Sequence, residues 1–328
     1  MRKNIRDLAI GVFSFAFIIL IFGSYVVVAQ TMTGSWTARV RTKTKEGVET
    51  VNREKIQLSF IRNSSKSGHN ENSSDFAYAD LQGLTLEKAQ SGGNVSFRIA
   101  REAGTIDCTG SFSNGSGSGT FTFTADQSFV NGMQTRGFTF RDDQLFAAAT
   151  INVTMAAADD LKNSGFGNVT VDDLFKTVIF KITPQYMAEM KATGFPNLGL
   201  DDLVKGRIFK IDADYVRQVA QMGFEKQDFE GLVKFRIFKI TPEFLDGLKS
   251  QGFKDLSSED VVKFSIFKVT PEFLTELKNN GFSDLSAEEV VKFRIFNIDQ
   301  EFIREARAKD PNVTVEDLVQ MKIGVRRK

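Results

Sequence analysis

The chain predicts an α+β fold in two domains, an N-terminal antiparallel β sandwich or small barrel followed by an α-solenoid of about seven 29-residue αα-hairpin repeats. Three observations carry that prediction. The pair Gly-Phe recurs at positions 165, 194, 223, 252 and 281, always 29 residues apart, and a fixed period of this length marks an array whose units pack on their neighbours. Residues 34–124 instead alternate apolar and polar side chains, the period of half-buried strands. Ahead of both, Met1-Arg-Lys-Asn-Ile-Arg is a basic start followed by an apolar run from Leu8 to Val28. The expected division is therefore 1–29 signal peptide, 30–124 β domain and 125–328 helical repeat array.

Val27-Val28-Ala29 before Gln30 fits a small-residue cleavage site, so cleavage is expected between Ala29 and Gln30. At about 20 residues the apolar run is also long enough to remain as a membrane anchor. On either reading the folded part lies outside the cytoplasm, periplasmic or secreted, with the membrane as a partner only if this segment is uncleaved. No cysteine follows the apolar run, so a lipoprotein anchor is not indicated.

In the β domain, Trp36-Thr-Ala-Arg-Val-Arg-Thr, Lys55-Ile-Gln-Leu-Ser-Phe-Ile and Val95-Ser-Phe-Arg-Ile-Ala read as strands. Gly104-Thr-Ile-Asp-Cys-Thr-Gly-Ser-Phe and Gly119-Thr-Phe-Thr-Phe-Thr flank Asn114-Gly115, a strong hairpin-turn pair, and should lie side by side. Five to seven strands are expected, with Asn63 to Ser74 a polar loop. The last strand, ending near Thr124, runs directly into the first helical unit, so the two parts should share a packed interface. Cys108 is the single cysteine; it has no partner for an intramolecular disulfide and reads as a small core residue of its strand.

The helical unit is clearest in Ile240-Thr-Pro-Glu-Phe-Leu, then Gly252-Phe253, then Leu256-Ser-Ser-Glu-Asp-Val-Val-Lys-Phe. Thr241 stands at an N-cap, Pro242 at the first helical position and Glu243 in the first turn, where the helix dipole favours a carboxylate. Gly252 can take the positive φ of a helix C-terminus, and Ser257 with Glu259-Asp260 opens a second helix that should end near Phe267-Lys268. Unit starts fall at Val153, Ile182, Ile211, Ile240, Val269 and Ile298, with a degenerate first copy near Ala125, where Asp126 takes the Thr place and Gly137-Phe138 the turn. The last copy carries Asp310-Pro311 instead of Gly-Phe. A unit of 29 residues cannot bury enough apolar surface alone, so stacking is obligatory.

The chemistry of catalysis is sparse. The chain has 42 basic and 41 acidic residues, which argues against nucleic acid as a partner. Its one histidine, His69, lies in the polar loop, which excludes His-based triads, HExxH zinc sites and multi-His metal sites. Acid pairs at Asp172-Asp173, Asp201-Asp202, Glu259-Asp260, Glu288-Glu289 and Glu316-Asp317 recur with the repeat at helix N-termini, the pattern of capping and not of a single catalytic pair. No catalytic, cofactor-binding or metal-binding residue is expected, and no cofactor. The one repeated feature with a functional reading is a ladder of Lys176, Lys205, Lys234, Lys263 and Lys292, joined by Arg207, Arg236 and Arg294. Against a binding stripe stands helix support, because each lysine follows an acid by four residues (Asp172, Asp201, Glu230, Glu259, Glu288). The Ile-Phe pairs from Ile179-Phe180 to Ile295-Phe296 read as inter-repeat core.

The unit Val269-Thr-Pro-Glu-Phe-Leu, Gly281-Phe282, Leu285-Ser-Ala-Glu-Glu-Val resembles a repeat of exported and membrane proteins of certain bacteria. That family includes C-terminal extensions of β-lactam-sensor-like membrane metallopeptidases; the match covers about 125–326, and the peptidase part, with its HExxH, is absent here. The upstream segment, with Arg101-Glu-Ala-Gly-Thr-Ile, looks like the front half of uncharacterised secreted bacterial proteins with the same repeat. The resemblance implies export and a role in protein contacts. The function expected is a non-enzymatic exported protein that mediates protein–protein or cell-envelope interactions through its array. The alternative is a carrier of a small apolar ligand in the β domain, since Gly34-Ser-Trp36 is similar to the Gly-x-Trp of lipocalin-like barrels.

Overall fold

The computed structural model describes residues 31–45, 48–62 and 71–324. The leader with Ala29 and Gln30, and the loop segment holding His69, lie outside the described residues. The molecule is α+β in two parts, a curled antiparallel sheet followed by a helical region.

The sheet has six strands: β1 (Thr31–Lys45), β2 (Val48–Arg62), β3 (Glu71–Ala77), β4 (Gly93–Arg101), β5 (Gly104–Ser113) and β6 (Ser116–Ala125). Their order is β3-β2-β1-β6-β5-β4, all antiparallel. This corrects the expected sandwich or barrel. All six strands lie in one open half-barrel, because the helices that follow supply the second layer that a sandwich would need from another sheet. The expected polar loop is also shorter than predicted, since residues 71–74 already pair with β2 as part of β3. The hairpin at Asn114-Gly115 forms as read, with φ of 50° and 75° and Ser113 opposite Ser116, both residues left-handed as this turn requires.

Alternation places Trp36, Ile56, Leu58, Phe60, Phe97, Ile99, Cys108 and Phe121 on the concave face, all buried. Trp36 meets Phe97 edge-on, with ring centroids 5.2 Å apart, and its indole N–H donates to the carbonyls of Thr109 and Thr120. Gly34 is required here: a Cβ would fall 2.3 Å from the Ile61 carbonyl and 2.6 Å from the Phe121 ring. The buried Cys108 thiol is pushed well above its ordinary range by loss of water.

Helix α1 (Leu86–Ser91) lies between β3 and β4, and α2 (Gln127–Thr135) and α3 (Asp142–Ile151) join the sheet to the helical region. α1 and α3 both lie against the sheet strands. Phe146 of α3 stacks on Phe121 at 5.1 Å and meets Phe60 and Phe123 edge-on, so the first helix pair closes the concave face. The shared interface expected from the short β6–α2 connection is present, and one apolar core runs without interruption from Trp36 to Val262.

The helices continue as α4 (Met155–Asn163), α5 (Val171–Ile179), α6 (Pro184–Ala192), α7 (Leu200–Ile208), α8 (Ala213–Gln221) and α9 (Phe229–Ile237). Next come α10 (Pro242–Ser250), α11 (Ser258–Ile266), α12 (Pro271–Asn279), α13 (Ala287–Ile295), α14 (Gln300–Lys309) and α15 (Val315–Lys322). The capping chemistry read from sequence is in place: Thr241 accepts from Phe244 N–H, Ser257 from Asp260 N–H, and Pro242 opens α10. Gly252 adopts φ +96°, the conformation its turn was expected to need. The second member of each pair, from α3 to α15, packs on its like at every step, whereas the first members approach as closely only at α2–α4 and α10–α12.

Candidate interaction face

The odd-numbered helices α5 to α15 are built alike. Five of the six open on a side-chain cap, with Thr170, Asp228, Ser257, Ser286 and Thr314 accepting from the backbone three residues on, while α7 opens on Gly199. In α9 the buried side chains are Phe229, Leu232, Val233 and Phe235. Glu230, Lys234 and Ile237 are exposed, and their spacing of i, i+4, i+7 puts them on one face at 100° per residue. The same three places recur from α5 to α13, with Gln320 in the lysine place of α15, so their outer surface carries parallel bands of acid, lysine and isoleucine.

Four of the five band lysines pair with acids of the neighbouring band, but not in the way the sequence predicts. Only Lys263 and Lys292 pair with the acid four residues earlier, Glu259 at 3.0 Å and Glu288 at 3.4 Å. Lys176 instead reaches forward to Asp201 of the next pair at 2.9 Å, and Lys205 to Glu230. Lys292 also lies 3.7 Å from Glu316. A stacked helix brings the acid of the next first turn as near as the acid of its own helix, so the pairing is settled between helices. Hydrogen bonds to Asp201, Glu230 and Glu259 raise the ammonium groups of Lys176, Lys205 and Lys263 above their ordinary values. Lys234 is exposed and makes no ion pair among the described residues.

The arginines of the ladder do something different. Arg207, Arg236 and Arg294 lie with their guanidinium carbons 3.7, 3.5 and 3.6 Å from the ring centroids of Tyr186, Tyr215 and Phe273 on the first helix of their own pair. Each also donates to a carbonyl at the end of the preceding pair, Lys181, Lys210 and Lys268 respectively. Where Arg is replaced by Ser265, the hydroxyl donates to the Phe238 carbonyl at 2.6 Å and the ring of Phe244 is left half-buried, while its three equivalents are buried. The arginines therefore act as clamps between successive pairs.

The isoleucines overturn their assignment to the core. Ile179, Ile208, Ile237, Ile266, Ile295 and Ile323 are 45–56% exposed, and the phenylalanines after the first five, Phe180 to Phe296, are half-buried. The signal that could have found them was helical phase: Ile237 stands on the side of Glu230 and Lys234, opposite Phe235. A second surprise follows directly. Lys181, Lys210, Lys239 and Lys268 adopt φ of 52–53°, and Asn152 and Asn297 φ of 61° and 49°. They end the odd-numbered helices in the left-handed state, with Ile240 N–H returning to the Phe235 carbonyl at 2.9 Å and Lys239 N–H to Arg236. Glycine is the relaxed residue there, and a lysine costs about 1 kcal/mol or more in backbone strain. All four of these lysines are exposed, and none makes an ion pair among the described residues.

Among the described residues, no group of three His, Cys, Asp or Glu side chains is placed to hold a metal ion, and no helix is long and apolar enough to cross a membrane. The larger depressions are open furrows between successive pairs, such as that lined by Phe273, Glu276, Arg294 and Glu301. Compared with known protein families, curated proteins and solved structures, the chain matches none.

Proposed function

We propose that the chain is a non-enzymatic, exported α-solenoid of seven 29-residue units that holds a protein partner along the outer face of its odd-numbered helices. The observation that carries this reading is the row of six isoleucines, each about half exposed, at equivalent places from Ile179 to Ile323. Isolated exposed apolar residues are ordinary, but a contiguous row of them on a protein surface marks a contact site. The 29-residue period, the stepwise packing of the odd-numbered helices and the resemblance of the Val269–Ile295 unit to repeats of exported bacterial proteins support it further. Four of the five ladder lysines serve this design as support within and between helices, their charges being spent on Asp201, Glu230, Glu259 and Glu288. Trp36, Phe60, Phe121 and Phe146 are buried on the concave side of the sheet, which favours the binding reading over a carrier of an apolar ligand.

A photo-crosslinking residue placed at Ile237 tests the proposal in the native host, with one at Lys249, exposed on α10, as its comparison. Protein adducts at 237 and none at 249 are expected; equal labelling, or none at either, refutes the reading. Export is tested by intact mass, which should place the mature start at Gln30.

A further inference from the structure

The partner itself is constrained by the surface. Building on the proposed use of the isoleucine row, we propose that its occupant is an acidic, extended polypeptide segment with an apolar side chain at every third residue.

Spacing comes first. Packed helices stand about 8–10 Å apart, so successive isoleucines of the tightly packed odd-numbered row recur at about that distance. A polyproline-II segment advances about 3.1 Å per residue with three residues per turn, so it presents one side chain on the same side every ~9 Å. A β-strand alternates sides at every residue and cannot keep that register. About 15 residues would follow the row from Ile179 to Ile323.

Charge decides the chemistry. Beside the isoleucines run the helix-ending residues Lys181, Lys210, Lys239 and Lys268, exposed and without ion pairs among the described residues. An unpaired cation beside each of the first four isoleucines matches one carboxylate per triplet over that part of the segment. These lysines hold a strained left-handed backbone that glycine would take freely, and strain of this kind gathers where side chains serve binding. Their place at helix C-termini also complements the helix dipole, but a dipole alone requires neither lysine nor strain at that position.

Width excludes the other source of negative charge, an anionic lipid surface. The acid band of Asp172, Asp201, Glu230, Glu259 and Glu288 lies seven residues up each helix, about 10 Å from the isoleucines. The first-turn acids Glu243, Glu272 and Glu301 flank the other side in sequence. A bilayer would have to approach all three rows at once. A single extended chain fits on the isoleucine and lysine rows between them.

The test uses the full chain and a labelled peptide of Leu-Glu-Pro repeated five times, with binding read by fluorescence anisotropy. Leu-Lys-Pro and Ser-Glu-Pro versions of the peptide, and vesicles of phosphatidylglycerol, serve as comparisons. The acidic apolar peptide should bind, weaken as salt rises, and lose about tenfold or more in affinity when Ile208, Ile237 and Ile266 are changed together to Ser. Changing Lys210, Lys239 and Lys268 to Gln should lose severalfold and flatten the salt dependence. Changing the ion-paired Lys205 and Lys263 to Gln should leave binding unchanged. Circular dichroism must show each variant folded, which exposed positions permit. No binding of the Leu-Glu-Pro peptide, equal binding by the isoleucine variant, or capture by the vesicles in place of the peptide overturns the proposal. Crosslinking at Ile237 to a protein that lacks such a segment would overturn this inference while leaving the binding function standing.

Discussion

Replacing Arg236 with alanine tests the clamp between successive helix pairs. The guanidinium covers the ring of Tyr215 and donates to the Lys210 carbonyl at 3.1 Å. Stacking of a cation on an aromatic face at a partly exposed site contributes about 0.5–1 kcal/mol. A net hydrogen bond to a carbonyl adds about 1 kcal/mol. The molecule also contains its own comparison, since Ser265 occupies the Arg place one unit on and the ring of Phe244 beneath it is half-buried where Tyr215 is 4% exposed. Arg236→Ala should therefore destabilise by about 1.5–2 kcal/mol, read as a lower urea midpoint by circular dichroism. Arg236→Lys should recover little of it, because an ammonium neither stacks as a plane nor reaches ring and carbonyl together. The reciprocal change, Ser265→Arg, should raise stability by up to about 1 kcal/mol by covering Phe244. Midpoints that do not move for Arg236→Ala, or a lysine variant equal to wild type, would refute the clamp.

Two further outcomes follow from particular residues. Gly252→Val should lower the denaturation midpoint by on the order of 1–3 kcal/mol, and more than Lys263→Ala, because φ is +96° at Gly252 while space around its absent Cβ is open; equal midpoints would mean the turn relaxes out of that conformation. Burial raises the phenols of Tyr78 (to about 12), Tyr186 and Tyr215 above their ordinary value near 10. The unfolded chain then releases those protons first, so the stability they contribute is complete below pH ~10 and falls as pH rises toward 12. The Tyr215 hydroxyl has no hydrogen-bond partner among the described residues, so Tyr215→Phe should be neutral or stabilising and make the alkaline decline shallower; a clear loss at neutral pH would show that the hydroxyl is satisfied in solution.

Most local features were legible because they depend on short spans of chain. The N-caps at Thr241 and Ser257, the left-handed Gly252 and the Asn114-Gly115 turn each follow from the conformations their own residues permit. The lysine C-termini were not legible, since Lys239 takes a backbone state that its side chain disfavours and that the return of Ile240 to Phe235 imposes. Nor was the open sheet, because alternation along Trp36 to Val40 tells which face is inward but not what covers it. Phe146, twenty-one residues past the end of the last strand, covers it.

The sequence by itself determined the period, the turns, the caps and the two-part α+β division, all of them set by backbone preference and hydrophobic phase within a window of a few turns. Tertiary packing alone decided which neighbour each charge meets. Lys176 chose Asp201 on the next odd-numbered helix over Asp172 on its own, and Arg207 was drawn from the surface onto Tyr186. It also decided which apolar residues remain outside: Phe235 turned into the core against Phe224 and Ile237, two residues on, was left facing solvent. The physical reason is common to both. A helix offers its whole circumference to its neighbours, and only the stacking of one pair on the next selects which part of it is covered.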